Sequence, residues 1–255
     1  MTWGRDAQHM PRTAINLYSV RNLDADLESV LRRVADAGYD GVQFAGDYSP
    51  LHAEPATVAA TLRQLDLAVA PPHVDLETLR TDREAIREAF APLEVDAIVL
   101  PWLDEAHFAS AEAVDAIADD LAALESALEA DGLDLLYHNH DHEYTALEEG
   151  AAYDRFLRQT TVGIELDVGW ALVGGDDPAR RIRNLGDRVG QLHMKDMTTG
   201  SEPTFTELGE GDVDIAACVD AAREVDVDWL IYEHDDPDDP AASLERGATA
   251  LEGRG

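Results

Sequence analysis

The chain has 255 residues, 45% of them hydrophobic, which is enough to bury one large core and argues against disorder. Acidic residues outnumber basic ones by 53 to 19, for a formal net charge of −34, so a nucleic-acid partner is not expected: a phosphate backbone would be repelled. No run of about eighteen apolar residues marks a membrane span, residues 1–10 carry no apolar signal-peptide core, and the single cysteine, Cys218, leaves no internal disulfide, all of which fits a cytoplasmic protein.

Eight short apolar runs, rich in Val, Ile and Leu, alternate with amphipathic segments from end to end. The first run is 13–18. A helix is expected over 23–37, where Leu27, Val30, Leu31 and Val34 recur at helical spacing and Gly38 supplies the stop. The run 41–44 follows, then a helix near 55–66, the run 68–71, and a helix near 80–90. After the run 97–100 comes a long helix over 110–130, with Ser110 as N-cap and Gly132 just past its end. The second half repeats the scheme: runs 133–137, 162–166, 189–193 and 229–233, with helices near 149–159, 178–187, 214–224 and 241–250. Cys218 sits in the 214–224 pattern as a buried helix position and not as a nucleophile.

Strand–helix alternation repeated eight times implies a parallel sheet, and eight units in this length favour closure into one (β/α)8 TIM barrel over residues 1–255. No linker or low-complexity segment divides the chain, and no Gly-rich dinucleotide loop follows the first strand.

Barrel sites form where strands end. The first four runs lead into Tyr18-Ser19, Gln43-Phe44, His73-Val-Asp75 and Pro101-Trp102. The last four lead into His138-Asn-His140-Asp-His142-Glu143, Glu165-Leu-Asp167, His193-Met-Lys195-Asp196 and Glu233-His234, so ligating groups crowd one half of the mouth. Asp167, His193 and Glu233 come from three successive strand ends, and the strand before them offers His140 or Glu143. Four such groups could surround one divalent ion, with carboxylates for a hard cation and imidazole for manganese, cobalt or zinc. Alternation along a strand puts Lys195 on the face of His193, beside that ion, where it can hold a substrate oxygen or stabilise an enolate. His52, His142, His234 and Asp196 are expected to be structural, and acidic runs such as Asp235-Asp-Pro-Asp-Asp239 to be mostly solvated surface.

In this order, Tyr137-His-Asn-His-Asp-His-Glu-Tyr144, Leu166-Asp-Val-Gly-Trp170, Leu192-His-Met-Lys-Asp196, Gly209-Glu-Gly-Asp-Val-Asp214 and Ile231-Tyr-Glu233 resemble the xylose isomerase-like barrels of AP endonuclease family 2, the sugar phosphate isomerase/epimerase group. The resemblance implies one divalent ion (Mn, Mg, Co or Zn) held by Glu143, Asp167, His193 and Glu233, with His140 as an alternative ligand or a base. It implies a ketose or related polyol as substrate and proton transfer beside a carbonyl, moved by Glu143 and Glu233 or by His140, with Lys195 supporting the charge. His73, Trp102 and His138 are expected to contact the sugar. A phosphate is not expected: the Gly209-Glu-Gly-Asp loop has the glycines for an anion nest, but Glu210 and Asp212 would repel the anion. A dehydratase of the inosose type would use the same enolate. A three-zinc DNA-repair enzyme sits badly with the charge, and a non-catalytic binder would bind without turnover. The oligomeric state, a homo-oligomer included, is left open.

The surplus of acid has a physical consequence of its own. Lys195 is the only lysine, and a chain so acidic and lysine-poor, yet normally hydrophobic, resembles the proteins of extreme halophiles such as haloarchaea. Mutual repulsion weakens as salt shortens the Debye length, from about 10 Å at 0.1 M to about 3 Å at 1 M. The melting temperature is therefore expected to climb as potassium chloride is raised from dilute buffer to molar concentrations; equal melting at both ends of that series would overturn the salt-adapted reading.

Overall fold

In the computed structural model, which describes residues 10–254, eight parallel strands curl into a barrel: β1 (Arg12–Asn16), β2 (Gly41–Gln43), β3 (Ala68–Val69), β4 (Ala97–Leu100), β5 (Asp134–His138), β6 (Gly163–Asp167), β7 (Val189–Met194) and β8 (Trp229–Tyr232). Their order is β3-β2-β1-β8-β7-β6-β5-β4. The two ends of that order meet where the chain beyond β3 runs along β4: His73 bridges Val99 in parallel, Val99 N donates to Pro72 O, and Val74 N donates to Val99 O, both at 2.9 Å. β3 itself is short because Pro71 and Pro72 have no N–H to give the ladder.

The helices are α1 (Leu27–Ala37), α2 (Pro55–Leu65), α3 (Leu76–Thr81), α4 (Arg83–Phe90), α5 (Ala111–Glu129), α6 (Ala152–Gln159), α7 (Val168–Val173), α8 (Pro178–Leu185), α9 (Ile215–Glu224) and α10 (Pro240–Leu251). Most begin on an acidic cap: the carboxylates of Asp26, Asp75, Asp82, Asp177, Asp214 and Asp239 each accept from backbone N–H groups of the first turn that have no partner within the helix. These caps explain two departures from the sequence reading. The first helix starts at Leu27 and not at residue 23 because Asp26 captures Ser29 N at 2.8 Å. The single helix expected near 80–90 is two helices, parted at Asp82, whose backbone leaves the helical region (φ −138°, ψ 49°) while its side chain caps the second. α7, directly after β6, has no counterpart in the sequence reading.

The outer faces of the strands and the inner faces of the helices share one apolar core, into which Cys218 of α9 packs as a small hydrophobe; burial pushes its thiol up to about 12. Inside the barrel the composition changes along the axis. Ala14, Ala70, Trp229 and Ile231 pack at one end and Ala97, Val99 and Leu136 beside them. Towards the strand C-termini the interior turns polar, and Asn16, Gln43, His138, Glu165, Asp167, Gln191 and His193 are all buried. The two-residue period of a strand accounts for the pairs Glu165/Asp167 and Gln191/His193 on one face.

Glu165 holds this layer together. Its Oε1 lies 2.6 Å from His73 Nε2, 2.8 Å from His138 Nδ1 and 3.1 Å from His193 Nε2. Its Oε2 accepts from Gln43 Nε2 at 2.5 Å and from Gln191 Nε2. Burial alone would raise this carboxyl, but His193, His73 and His138 hold it well below the usual range. Removing the carboxylate would strand five donors from four strands or strand extensions in the interior. Glu165→Ala is thus expected to cost about 3–5 kcal/mol of unfolding free energy, the range for breaking a buried ion pair. Chemical denaturation at fixed salt measures it, and a loss under about 1 kcal/mol would show that the layer does not depend on Glu165.

Candidate active site

Four neighbouring strands bring one chemical centre together. His138 closes β5, Asp167 closes β6, His193 lies in β7 and Glu233 directly follows β8. One nitrogen or oxygen from each lies within 4.8 Å of the others, and all four residues are buried. His138 turns Nδ1 to Glu165, which leaves Nε2 facing Asp167 Oδ2 at 3.8 Å. His193 points Nδ1 at Glu233 Oε2, 2.8 Å away. Asp167 Oδ1 caps α7 by accepting from Trp170 N at 2.8 Å, while Oδ2 is sealed in the interior with no hydrogen bond. His73, His138, Glu165 and His193 form a second grouping of ligating atoms, but it shares two histidines with the first, and both oxygens of Glu165 are already engaged.

The charges are crowded. Burial raises Asp167 to about 6 in spite of Lys195. Burial would also raise Glu233, but Lys195 and His193 keep it well below the usual carboxylate range. Burial lowers His138 to about 4, so it is a neutral imidazole able to ligate. Burial would lower His193 as well, yet Glu165 and Glu233 lift it to about 10. A buried carboxylate oxygen without a hydrogen bond, a second carboxylate beside it, the neutral imidazole of His138 and the imidazole of His193, which would give up its proton to the ion, are the donor set for a divalent ion of the manganese, cobalt or zinc kind. The residues present therefore fit a metal. Glu165, behind both histidines, would fix their orientation from the outer shell.

Lys195 is fully buried alongside. Its Nζ lies 2.8 Å from Glu233 Oε2, 3.1 Å from Asp167 Oδ2 and 3.0 Å from Asp235 Oδ2, and 5.2 Å from the ring centre of Trp170. Burial would lower this ammonium, but Asp167, Glu233 and Asp235 hold it well above its ordinary value. Asp235 is the exception in an acidic run whose other members, Asp236, Asp238 and Asp239, are exposed: it turns inward onto the lysine.

Glu143, expected as the fourth ligand and as a proton carrier, is not brought to this centre. It sits in a 3-10 turn (His142–Tyr144) beyond the strand, fully buried, where its carboxylate accepts from the Tyr137 hydroxyl and from His140 N at 2.8 Å. Tyr137 faces out of the barrel, so Glu143 is drawn under the loop and holds up the backbone of His140. His138, expected to touch the sugar, stands in the vacated position. His140 itself lines the mouth, its Nδ1 turned inward to within 3.9 Å of Glu143 Oε1, and is kept neutral by burial and by the nearness of His138 and Lys195.

The mouth is a cavity of about 640 Å³ whose wall includes His73, Trp102, His138, His140, Lys195 and Glu233. Trp102, at 52% exposure, stands with its ring centre 4.5 Å from that of His140 and 4.7 Å from that of His142. His142 is tied to Leu103 O at 2.9 Å, and His234 Nδ1 accepts from Asp236 N at 3.2 Å; both have structural partners. His52 also reaches the wall. The glycine loop after β7 is occupied from within: Asp196 Oδ2 accepts from Gly209 N and Gly211 N at 2.8 and 2.9 Å, and Oδ1 from Val213 N at 3.1 Å. Asp196 is therefore buried and pins the loop.

The polar centre, the cavity above it and the closed barrel agree with what is similar to this chain. An inosose dehydratase of Geobacillus kaustophilus is 29% identical over 132 residues, 44% of this chain and 42% of that protein. One of Lacticaseibacillus casei is 26% identical over 158 residues, 54% of this chain and 51% of that protein. The chain thus aligns with about half the length of these curated relatives. Among solved structures, a sugar phosphate isomerase/epimerase from Parabacteroides distasonis superposes with a TM-score of 0.79 at 19% identity, over 95% of this chain and 98% of that one. A 3-keto-D-glucoside 4-epimerase from E. coli does so with 0.71 at 17%, over 95% and 99%. At these identities the likeness is one of fold. The family model for xylose isomerase-like TIM barrels matches residues 31–253, and the chain belongs to that family.

Proposed function

We propose that the chain is a divalent-metal-dependent isomerase or epimerase that moves a proton beside the carbonyl of a ketose or related sugar. The observation that carries this reading is the four-strand cluster of His138, Asp167, His193 and Glu233 with the Lys195 ammonium against two of its carboxylates. An ion held by those four residues would supply Lewis acidity to the carbonyl and hydroxyl oxygens of the sugar. Glu233, ionised at the cavity wall, takes the proton from the carbon next to the carbonyl. His140, kept neutral and on the same wall, returns it. Lys195 offsets the negative charge that develops on oxygen, in a pocket where fixed charges act more strongly than in water. Asp235 keeps the ammonium in place when Asp167 and Glu233 are engaged elsewhere. The curated relatives favour a second reading, a dehydratase in which the same carbanion expels a β-hydroxyl. An epimer keeps its mass, whereas the dehydratase product is lighter by one water.

One manganese or zinc per chain is expected by elemental analysis and titration calorimetry, and exhaustive chelation is expected to abolish turnover. His138→Ala should weaken metal affinity beyond the 10–100-fold typical of outer-shell changes, and Glu143→Gln should stay within about tenfold. The reverse order would restore Glu143 as the ligand.

Hydrogen exchange at the carbon beside the substrate carbonyl, followed by NMR in heavy water, tests the chemistry. Glu233→Gln should abolish it in protein that still carries metal, and Lys195→Met should slow it by about two to three orders of magnitude. Wild-type exchange in metal-loaded Glu233→Gln would reduce Glu233 to a ligand and move the base to His140.

A further inference from the structure

Two buried amides beside the cluster, Asn16 at the end of β1 and Gln43 at the end of β2, have a direction as well as a place. Resting on the metal-dependent reading above, we infer that they are positioning residues: they hold a hydrogen on His193 Nε2, so that His193 meets the ion through Nδ1 while His138 meets it through Nε2.

A carboxamide donates from one end and accepts at the other, and backbone groups decide which way each amide lies here. Asn16 Oδ1 accepts from Tyr18 N at 2.8 Å. A backbone N–H can only donate, so Asn16 Nδ2 is the end turned to Gln43, and it donates to Gln43 Oε1 at 2.7 Å. Gln43 Nε2 donates to Pro71 O at 2.8 Å and to Glu165 Oε2 at 2.5 Å. A backbone carbonyl can only accept, so the direction of Gln43 is fixed as well. Its Oε1 lies 2.6 Å from His193 Nε2. A nitrogen that close to an oxygen with no hydrogen to give must itself carry the hydrogen. Glu165 Oε1, 3.1 Å from the same nitrogen, makes the same demand from farther away. Asn16, Gln43, Glu165 and His193 are all fully buried, so solvent offers none of them another partner.

The opposite nitrogen of His193 is then the one able to ligate. Nδ1 lies 2.8 Å from Glu233 Oε2, on the side of the cluster. As an ion binds, the hydrogen on Nδ1 leaves to solvent and the one on Nε2 stays. His138 is set the other way round: its Nδ1 lies 2.8 Å from Glu165 Oε1, and Nε2 turns to Asp167. The same directions reach His73. Asn16 Nδ2 lies 3.4 Å from His73 Nδ1, which leaves the hydrogen of that ring on Nε2, 2.6 Å from Glu165 Oε1. A ligating imidazole whose other nitrogen donates to a fixed acceptor is held in orientation and made more basic. Gln43 is the nearer of the two acceptors on His193, and Asn16 holds Gln43. Both amides therefore act on the ion only through His193.

The test is NMR of the full chain, its histidines labelled with the heavy nitrogen isotope, loaded with zinc in molar potassium chloride. Long-range proton–nitrogen correlations separate Nδ1 from Nε2, and a nitrogen bearing hydrogen from one bound to metal; His138→Gln and His193→Gln assign the two rings. Wild-type protein is expected to show His193 with hydrogen on Nε2 and zinc on Nδ1, and His138 with the reverse. Gln43→Leu should shift the Nε2 proton of His193 upfield, as its shortest hydrogen bond is lost, and weaken zinc binding in titration calorimetry by about 10- to 100-fold, the usual effect of losing such a partner. Gln43→Glu keeps an oxygen towards His193 and should keep that proton signal. Asn16→Asp still accepts from Tyr18 N but cannot donate to Gln43, and should act in the same direction as Gln43→Leu, by less. Zinc on Nε2 of His193, zinc on Nδ1 of His138, or a folded Gln43→Leu with wild-type signal and affinity would each overturn the inference, and the first two are read without any variant at Asn16 or Gln43 having to fold. No zinc taken up by the wild type would sink the metal reading and the inference together, whereas zinc bound through the wrong nitrogens sinks the inference alone.

Discussion

A carboxylate inside a barrel must be met by donors from several strands at once, and most of the site depends on Glu165 being met in this way. Its two oxygens collect His73, His138, His193, Gln43 and Gln191, which reach it from four different strands or strand extensions. The same contacts that make the buried charge tolerable set the orientation of two imidazoles above it. His138 and His193 each have one nitrogen turned down to Glu165, so each has the other turned up towards Asp167 and Glu233. Satisfaction of one buried acid thus fixes the geometry of the cluster above it.

Above that layer the balance is one of charge. Asp167, Glu233 and Asp235 surround a single ammonium, and Lys195 cannot neutralise three carboxylates. Burial, with Glu233 adding to it, raises Asp167 in spite of Lys195, whose ammonium lies 3.1 Å from its Oδ2. A centre that carries more negative charge than its own residues can offset is disposed to take up a cation, and the two neighbouring imidazoles select which kind.

Much of this was legible in the sequence, and the failures are instructive. Strand ends could be read because buried runs of Val, Ile and Leu stop where the chain turns polar, and alternation then gave the inward face of Glu165, Asp167, His193 and Lys195. Alternation loses its meaning once the strand ends, so it could not say where Glu143 would lie. The chain after His138 enters a 3-10 turn, and the hydroxyl of Tyr137, on the opposite face of the strand, pulls Glu143 away from the mouth. Asp235 was hidden by its neighbours, since in so acidic a chain one inward carboxylate looks like every outward one. Gln43, Asn16 and Gln191 carried a signal that was passed over: an amide at an inward position of a buried strand needs a partner, and here the partners are Glu165 and one another. The split at Asp82 and the helix after Asp167 came from side-chain caps, which periodicity does not register.

Those caps bear on how the protein could be adapted to other conditions. Seven aspartates at helix starts, Asp167 of the site among them, close backbone donors, whereas many others face solvent alone. Recasting the surface for a low-salt expression host would mean exchanging acids for lysines or neutral residues. The two groups would respond in opposite ways. Exchange at a solvent-facing position relieves repulsion, while exchange at Asp26, Asp75, Asp82, Asp177, Asp214 or Asp239 removes a cap worth about 1 kcal/mol. Acidity in this chain is partly surface charge and partly scaffold, and only the former can be exchanged without unmaking a helix start.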